Sequence, residues 1–192
     1  EDLRAGTVVL PAGTVLGAGE LSVAIGAGAA AVACARRPRV AVLCTGDELR
    51  PPGAKLAPGE IHNSNAAMLA TLARAAGAVV TSAAAVRDEH DTTEAAIAGA
   101  LDEADVVVLS GGVSVGPHDH VKPALAALGV RERFWRVDLQ PGKPTWFGTR
   151  DARLVFGLPG NPVSSYVTFV LFARPVLRAL QGAAPLPPRE RA

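Results

Sequence analysis

The sequence predicts an α/β fold, a three-layer α/β/α sandwich built on a mostly parallel sheet. Three observations carry this. Strand-like and helix-like patterns alternate from Arg39 to Leu128, the order that builds parallel sheets. The run Val106–Leu109 is apolar at every position, as strands covered on both faces are. Each strand-like run stops at a loop of small residues, and ligands of such sheets bind beyond the carboxyl ends of the strands.

Residues 1–37 stand apart. They open with "EDLRAGTVVLPAGTVLGAGE", short apolar pieces punctuated by Gly and Pro, and run into an Ala/Gly-rich stretch. That pattern builds no core of its own, so it is expected to connect to a domain preceding it. Residues 38–182 hold the regular pattern and are expected to form the α/β domain, with 183–192 as a Pro-rich tail.

Within the domain, "RVAVLC" (39–44) is a strand ending at "TGDE". Met68, Leu69, Leu72, Ala73 and Ala76 recur at helical spacing, with Asn63 or Ser64 as cap and Gly77 as stop. "AVVTSAAAV" (78–86) is the next strand, and Asp91 with Glu94 resembles a capping box. Ile97, Ala100, Leu101 and Ala104 make the following helical face, and "VVVLS" (106–110) the following strand. Val121, Ala124, Leu125 and Leu128 form a further helical face, ended by Gly129. "RFWRVDL" and "RLVFGL" read as two more strands. Asn161-Pro162 caps a long apolar helix reaching about Leu180, with a bend expected at Pro175.

Composition narrows the function. The chain is 49% hydrophobic and 19% charged, with a formal net charge of +1, so it can bury a real core. The largest basic cluster, Arg36-Arg37-Pro38-Arg39, is too small for duplex nucleic acid as the main ligand; it reads as a solvated face. No signal peptide and no apolar run of bilayer length stand out, so a cytoplasmic location without membrane contact is expected. Cys34 and Cys44 lack any CxxC or framework spacing, and Cys44 reads as a buried, reduced thiol.

Five loops fall at strand ends: "TGDEL" (45–49), "RDEHD" (87–91), "SGGVSVGPHD" (110–119), "QPGKP" (140–144) and "GLPGNPVS" (157–164). Turn formation explains their Gly and Pro, but not the acids gathered on one edge. Gly111 and Gly112 let backbone N–H groups approach an anion closely, and a helix starting near Asp119 or His120 adds its positive end. Asp119 is either that helix's N-cap or a functional carboxylate. Glu48, Asp88 and Asp119 end three successive strands; if those strands are neighbours, the carboxylates converge on one hard cation. Mg²⁺, held by one or two carboxylates plus phosphate oxygens, suits that donor set; the alternative is three unrelated turn acids. Lys143, one of only three lysines, is pinned between Gly142 and Pro144, which suits an oxyanion or a phosphate.

Two other patterns compete. His118, Asp119 and His120, with His90, invite a zinc reading, but side chains two apart share no helix face and no cysteine assists; surface histidines flanking a cap are the better reading. "GAGAAA" (26–31) after "LSVAI", with Asp47 downstream, matches a dinucleotide fingerprint. Its helix would be short and without apolar period, so it stays only as an alternative.

In their order and spacing, "TGDEL", "RDE", "SGGVSVGPHD", "PGKP" and "GLPGNPVS" resemble the central, MogA-like domain of the MoeA family, the molybdopterin molybdenumtransferases that include the gephyrin E-domain. The resemblance runs from residue 1 to about 182. It implies an enzyme that takes molybdate and adenylylated molybdopterin as substrates and, with a divalent metal such as Mg²⁺, releases AMP and molybdenum cofactor. It implies that Glu48, Asp88 and Asp119 lie near metal and molybdate, and that Lys143 neutralises phosphate or molybdate. Thr45, Gly46, Asp47, Gly111, Gly112 and Ser114 would line the nucleotide and pterin phosphate path. Pro141 and Gly142 would shape the lysine loop, and Pro159, Gly160, Asn161 and Ser164 the oxyanion side. Relatives carry two basic residues around the fourth-strand loop; here Arg136 keeps the charge and Gln140 does not. The resemblance further implies flanking domains on both sides, a homodimer, and a MogA-type adenylyltransferase as upstream donor. The alternatives are that adenylyltransferase activity itself, or a non-catalytic molybdopterin-binding or scaffold module.

Overall fold

The computed structural model describes residues 4–113 and 120–183. Its first element is helix α1 (Ala18–Gly26), of which only Ala24 is buried. The apolar "LSVAI" lies inside this helix, and residues 31–38 are irregular. A dinucleotide fingerprint needs a strand before its glycines, so that alternative is overturned.

The main sheet begins with β1 (Arg39–Thr45), buried at every position after the first. A small parallel pair follows, β2 (Leu49–Arg50) and β3 (Ile61–His62), which the sequence pattern is too short to reveal. Helix α2 (Ser64–Ala75) is capped by Asn63, whose side chain accepts from the Ala66 N–H, and it ends before Gly77 at φ 90°. Strand β4 (Val79–Val86) leads to α3 (His90–Glu103). Here the expected capping box does not form. Glu89 is the N-cap and Asp91 falls in the first turn, while the Glu89 carboxylate accepts from Thr92 Oγ1 at 3.0 Å. The helix starts earlier because β4 hands over directly through residues 87–89.

β5 (Val106–Ser110) is buried throughout, and each of its valines contributes about 1.5–3 kcal/mol on leaving water. After it come α4 (Val121–Ala127), β6 (Arg131–Trp135), β7 (Trp146–Arg150) and β8 (Arg153–Leu158). β6 is shorter than the "RFWRVDL" reading, because Arg136 turns to φ 67° and leads the chain out of the sheet. β7 is an unforeseen strand. Its Gly148 weakens any strand signal, yet the glycine is required, since a Cβ there would strike the Trp146 indole and the Arg131 carbonyl.

The strand order is β4-β1-β5-β8-β7-β6. β4, β1, β5 and β8 are parallel, and β7 runs antiparallel to both β8 and β6. Two apolar layers cover the sheet. Ile97, Leu101, Val121 and Leu125 from α3 and α4 pack on one face, and Leu69, Phe169 and Leu177 with Phe156 on the other.

The last helix runs as α5 (Pro162–Thr168), a π-helical segment (Phe169–Ala173) and α6 (Arg174–Leu180). The irregularity expected at Pro175 thus comes as a π segment just before it, where the proline's missing N–H breaks the ladder. By length and mean hydropathy (1.3) Pro162–Leu180 is apolar enough to cross a membrane, contrary to the sequence reading. Its inner face, Ser165, Thr168, Phe169, Ala173 and Leu177, is built into the core, the arrangement of a core helix.

The arginine cluster is also more than a solvated face. Arg36, Arg39 and Arg153 all reach the carboxylate of the buried Asp105. The Arg39 N–H donates to it as well, at 2.8 Å.

Candidate functional site

The carboxyl ends of β4, β1, β5 and β8 open on one edge, and the link between β6 and β7 lies on that edge too, since Trp146 pairs with both Trp135 and Gly157. Four of the strand-end loops named from sequence therefore lie on one edge, together with the described start of the fifth, Ser110–Val113. Ser114, His118 and Asp119 lie outside the described residues.

Over β4 and β1 the crevice is acidic. Asp47 accepts from the Asp88 N–H at 3.1 Å, so the two loops are locked together. Burial and then the Asp47 charge raise the Asp88 carboxyl above the usual range, with a further push from Glu48; an Asp47 N–H and His120 pull the other way. A depression of about 670 Å³ lies here, lined by Gly46, Asp47, Arg50, Val86, Arg87 and Glu89 among others. Among the described residues, no three His, Cys, Asp or Glu side chains are grouped to hold a metal. Glu48 and Asp88 supply hard oxygen donors on one patch, and their mutual repulsion is what a cation would relieve. That donor set fits Mg²⁺. His90 and His120 meet edge to face, with ring centroids 6.3 Å apart.

Over β5 stands the glycine loop. Gly111 and Gly112 have φ of 90° and 63°, a region that favours glycine. A Cβ on Gly111 would fall 2.7 Å from the Thr45 carbonyl oxygen, and one on Gly112 2.8 Å from Thr45 Oγ1. Thr45 Oγ1 itself is buried with no hydrogen-bond partner, and a buried orphan hydroxyl needs an explanation. It sits where the backbone has been stripped of side chains.

Over β8, Gly160 packs against Gly111, and Asn161 caps α5 by accepting from the Val163 and Ser164 N–H groups at 3.0 and 3.3 Å. The Asn161 side chain is thereby committed to the helix. Pro159 O accepts from Ser110 Oγ and Ser165 Oγ. Ser164 is half-buried, and its carbonyl accepts from Thr168 Oγ1.

Between β6 and β7, Lys143 is exposed on a loop held by bonds from Val137 N–H to Lys143 O and from both Thr145 N–H and Thr145 Oγ1 to Gly142 O. Gly142 is buried at φ 130°, where a Cβ would meet Thr168 and Leu139, and Pro141 follows a cis bond from Gln140. Arg136 stacks on the Trp135 ring at 4.4 Å, and the Trp135 indole N–H donates to Val113 O. The crevice is thus acidic at its β4–β1 end and cationic at its β6–β7 end.

Sequence reasoning missed Asn65, Ser110, Ser165 and Trp135. Asn65 reads as an ordinary early helix residue, and the others as the last or inward residues of their elements, so no pattern marked them.

The sequence profile described as a probable molybdopterin binding domain matches residues 41–179. The chain belongs to this molybdopterin-binding domain family. It is 42% identical over 184 residues to a molybdopterin molybdenumtransferase of Nostoc sp., covering 94% of this chain and 42% of the relative. It is 39% identical over 187 residues to molybdopterin molybdenumtransferase 2 of Mycobacterium tuberculosis, covering 95% and 46%. The chain therefore spans less than half the length of these curated relatives. Among solved structures, the molybdopterin biosynthesis MoeA protein of Pyrococcus horikosii superposes with a TM-score of 0.76 at 32% identity, covering 88% of this chain and 42% of that one. A molybdenum cofactor biosynthesis protein B shares the fold alone, with a TM-score of 0.58 at 19% identity over 76% of this chain and 94% of that one. The family's fold agrees with the α/β/α sandwich expected from sequence.

Proposed function

We propose that this chain is the substrate-binding α/β domain of a molybdopterin molybdenumtransferase, placing molybdate into adenylylated molybdopterin as AMP leaves. The observation that carries this reading is the crevice itself, with acids at one end, glycine backbone in the middle and a lysine loop at the other. Neighbouring strands lie about 4.8 Å apart, so the crevice from β1 to β7 is roughly 14 Å across, the scale of a nucleotide joined to a second anionic group. The curated relatives of that name match over nearly all of this chain.

In this reading the Gly112 N–H and the Thr45 hydroxyl cradle the pyrophosphate link, and Gly111, whose own N–H donates to Leu158 O, leaves the room for it to approach. Gly160 and Asn161 present backbone N–H donors to the oxyanion from a turn that Pro159 and Ser164 shape, and Lys143, framed by Pro141 and Gly142, balances its charge. Asp47 ties its own loop, which carries Glu48, to the loop that carries Asp88. Those two carboxylates, with Asp119, hold Mg²⁺; when bound, the ion neutralises phosphate charge. Breaking a phosphoanhydride is chiefly a matter of position and charge, and these are suitable parts.

The wider setting belongs to the same proposal. A MogA-type adenylyltransferase supplies the adenylylated substrate, the protein works in the cytoplasm, and the full-length chain is a homodimer. In support of the last, Val8, Val15, Leu21 and Ile25 of the leading segment stand exposed with no cover from the α/β domain. The test is AMP release from adenylylated molybdopterin on adding molybdate and Mg²⁺ to the purified chain. Release that vanishes in Asp119→Asn and Lys143→Ala supports the reading; a wild-type chain that neither binds nor cleaves this substrate sinks it.

A further inference from the structure

Beneath the contact between the two glycine loops lies Asn65, in the first turn of α2. Its Nδ2 donates to Ser110 Oγ at 2.9 Å and to Gly160 O at 2.8 Å. Ser110 is the buried last residue of β5, directly before Gly111-Gly112. Its hydroxyl also reaches Ser165 Oγ at 3.1 Å and Pro159 O at 3.2 Å. One amide and two hydroxyls thus join α2, β5 and the β8–α5 turn.

The amide has only one workable orientation. Gly160 O is an acceptor, so the NH₂ side must face it. The opposite atom, Asn65 Oδ1, is left buried without a donor. A buried acceptor without a partner is a cost that folds generally avoid, and here it is the consequence of holding Gly160 C=O in place. In a trans peptide the carbonyl and the following N–H point opposite ways. Fixing Gly160 O towards α2 therefore turns the Asn161 N–H towards the other side. Among the described residues, the Gly112, Gly160 and Asn161 N–H groups have no backbone acceptor.

We propose that Asn65 is a positioning residue that holds the Gly111 loop and the Gly160 turn in one register, so that their backbone N–H groups serve the same anionic group of the ligand. Asn65 does not touch that group. The inference rests on the oxyanion and phosphate reading of the crevice given above, and it adds a residue and a mechanism to it.

Asn65→Asp is nearly isosteric and replaces both N–H donors by acceptors; Asn65→Ala removes them outright. Two readouts are taken on the purified chain: amide shifts and hydrogen exchange without ligand, and affinity for inorganic pyrophosphate. The expected result is that Gly111, Gly112, Gly160 and Asn161 shift and exchange faster in both variants while amides of β1 and α3 do not. Pyrophosphate affinity falls by about tenfold or more, the scale of losing hydrogen bonds that orient donors to a charged group. As pH is lowered, Asn65→Asp regains affinity relative to wild type at the same pH, since a protonated acid again offers a donor, and Asn65→Ala does not. Unchanged loop amides would overturn the proposal, as would wild-type affinity in both variants or exchange accelerated across the whole domain. If the wild-type chain binds no pyrophosphate, the transferase reading is what fails, and the ligand-free amides decide the role of Asn65 by themselves.

Discussion

Arg36 grips Asp105 with both arms of its guanidinium, Nη1 to Oδ2 at 2.6 Å and Nη2 to Oδ1 at 3.0 Å. The pair lies at the amino end of the sheet, where it ties the leading segment to β5. Hydrogen bonds from Arg36 come first in holding the Asp105 carboxyl well below the usual range, opposed by burial and helped by the Arg39 N–H. A carboxyl depressed on folding contributes stability that is present above its unfolded pKa and is lost as pH falls through its folded one. Asp105→Asn should therefore destabilise at pH 7 by about 1–3 kcal/mol, and the gap to wild type should close at strongly acid pH. Urea titrations across pH measure this. Arg36→Ala, whose side chain is mostly exposed, should cost less than Asp105→Asn, because solvent screens its share of the pair.

Asp88 should show the opposite sign. Its carboxyl is raised on folding by burial and by Asp47, so its ionised form opposes folding at pH 7 and ceases to do so below its unfolded pKa. Asp88→Asn should raise the melting temperature at neutral pH, with the gain fading as pH falls. Added Mg²⁺ should raise the melting temperature of wild type more than that of the variant. An equal response would remove Asp88 from the metal reading.

Thr45→Val offers a separation of stability from binding. The hydroxyl is buried and unpartnered, so replacing it by a methyl should leave stability unchanged or raise it by up to about 1–3 kcal/mol. Pyrophosphate affinity, measured by calorimetry, should fall. A loss of stability without a loss of affinity would make the hydroxyl structural.

Gly111→Ala should be costly for two reasons. The backbone is at φ 90°, and the added methyl meets the Thr45 carbonyl, a backbone atom that cannot swing away. A loss of about 1–3 kcal/mol is expected, read by chemical denaturation. Gly129→Ala, also at positive φ but facing open space, should cost less, which isolates the steric part.

Much of the architecture was legible because burial imposes a period. β1 and β5 lie between two helical layers and so carry unbroken apolar runs, while α2 and α3 bury one stripe each. β7 was not legible, since its strand is interrupted by the glycine that admits the Trp146 indole, a packing need that no local pattern encodes. The capping box at Asp91 failed for a related reason: Glu89 stood closer to the end of β4, and chain connection decided between two acceptable caps.

The strand-end loops were legible as neighbours because parallel strands carry their βα loops to one edge, and the β6–β7 link turns on that same edge. The sequence by itself determined the parallel core, the acids, the glycines and the lysine loop, because local sterics and hydrophobic period act within a few residues. Only the tertiary structure decided that β4, β1 and β5 are neighbours, and so that Asp47 and Asp88 meet. It alone decided that Arg36 and Asp105 pair across 69 residues, and that Asn65 comes to lie beneath Gly160. Hydrogen bonds of that kind depend on which surfaces the core brings together, and chain separation leaves no trace of them in the residue order.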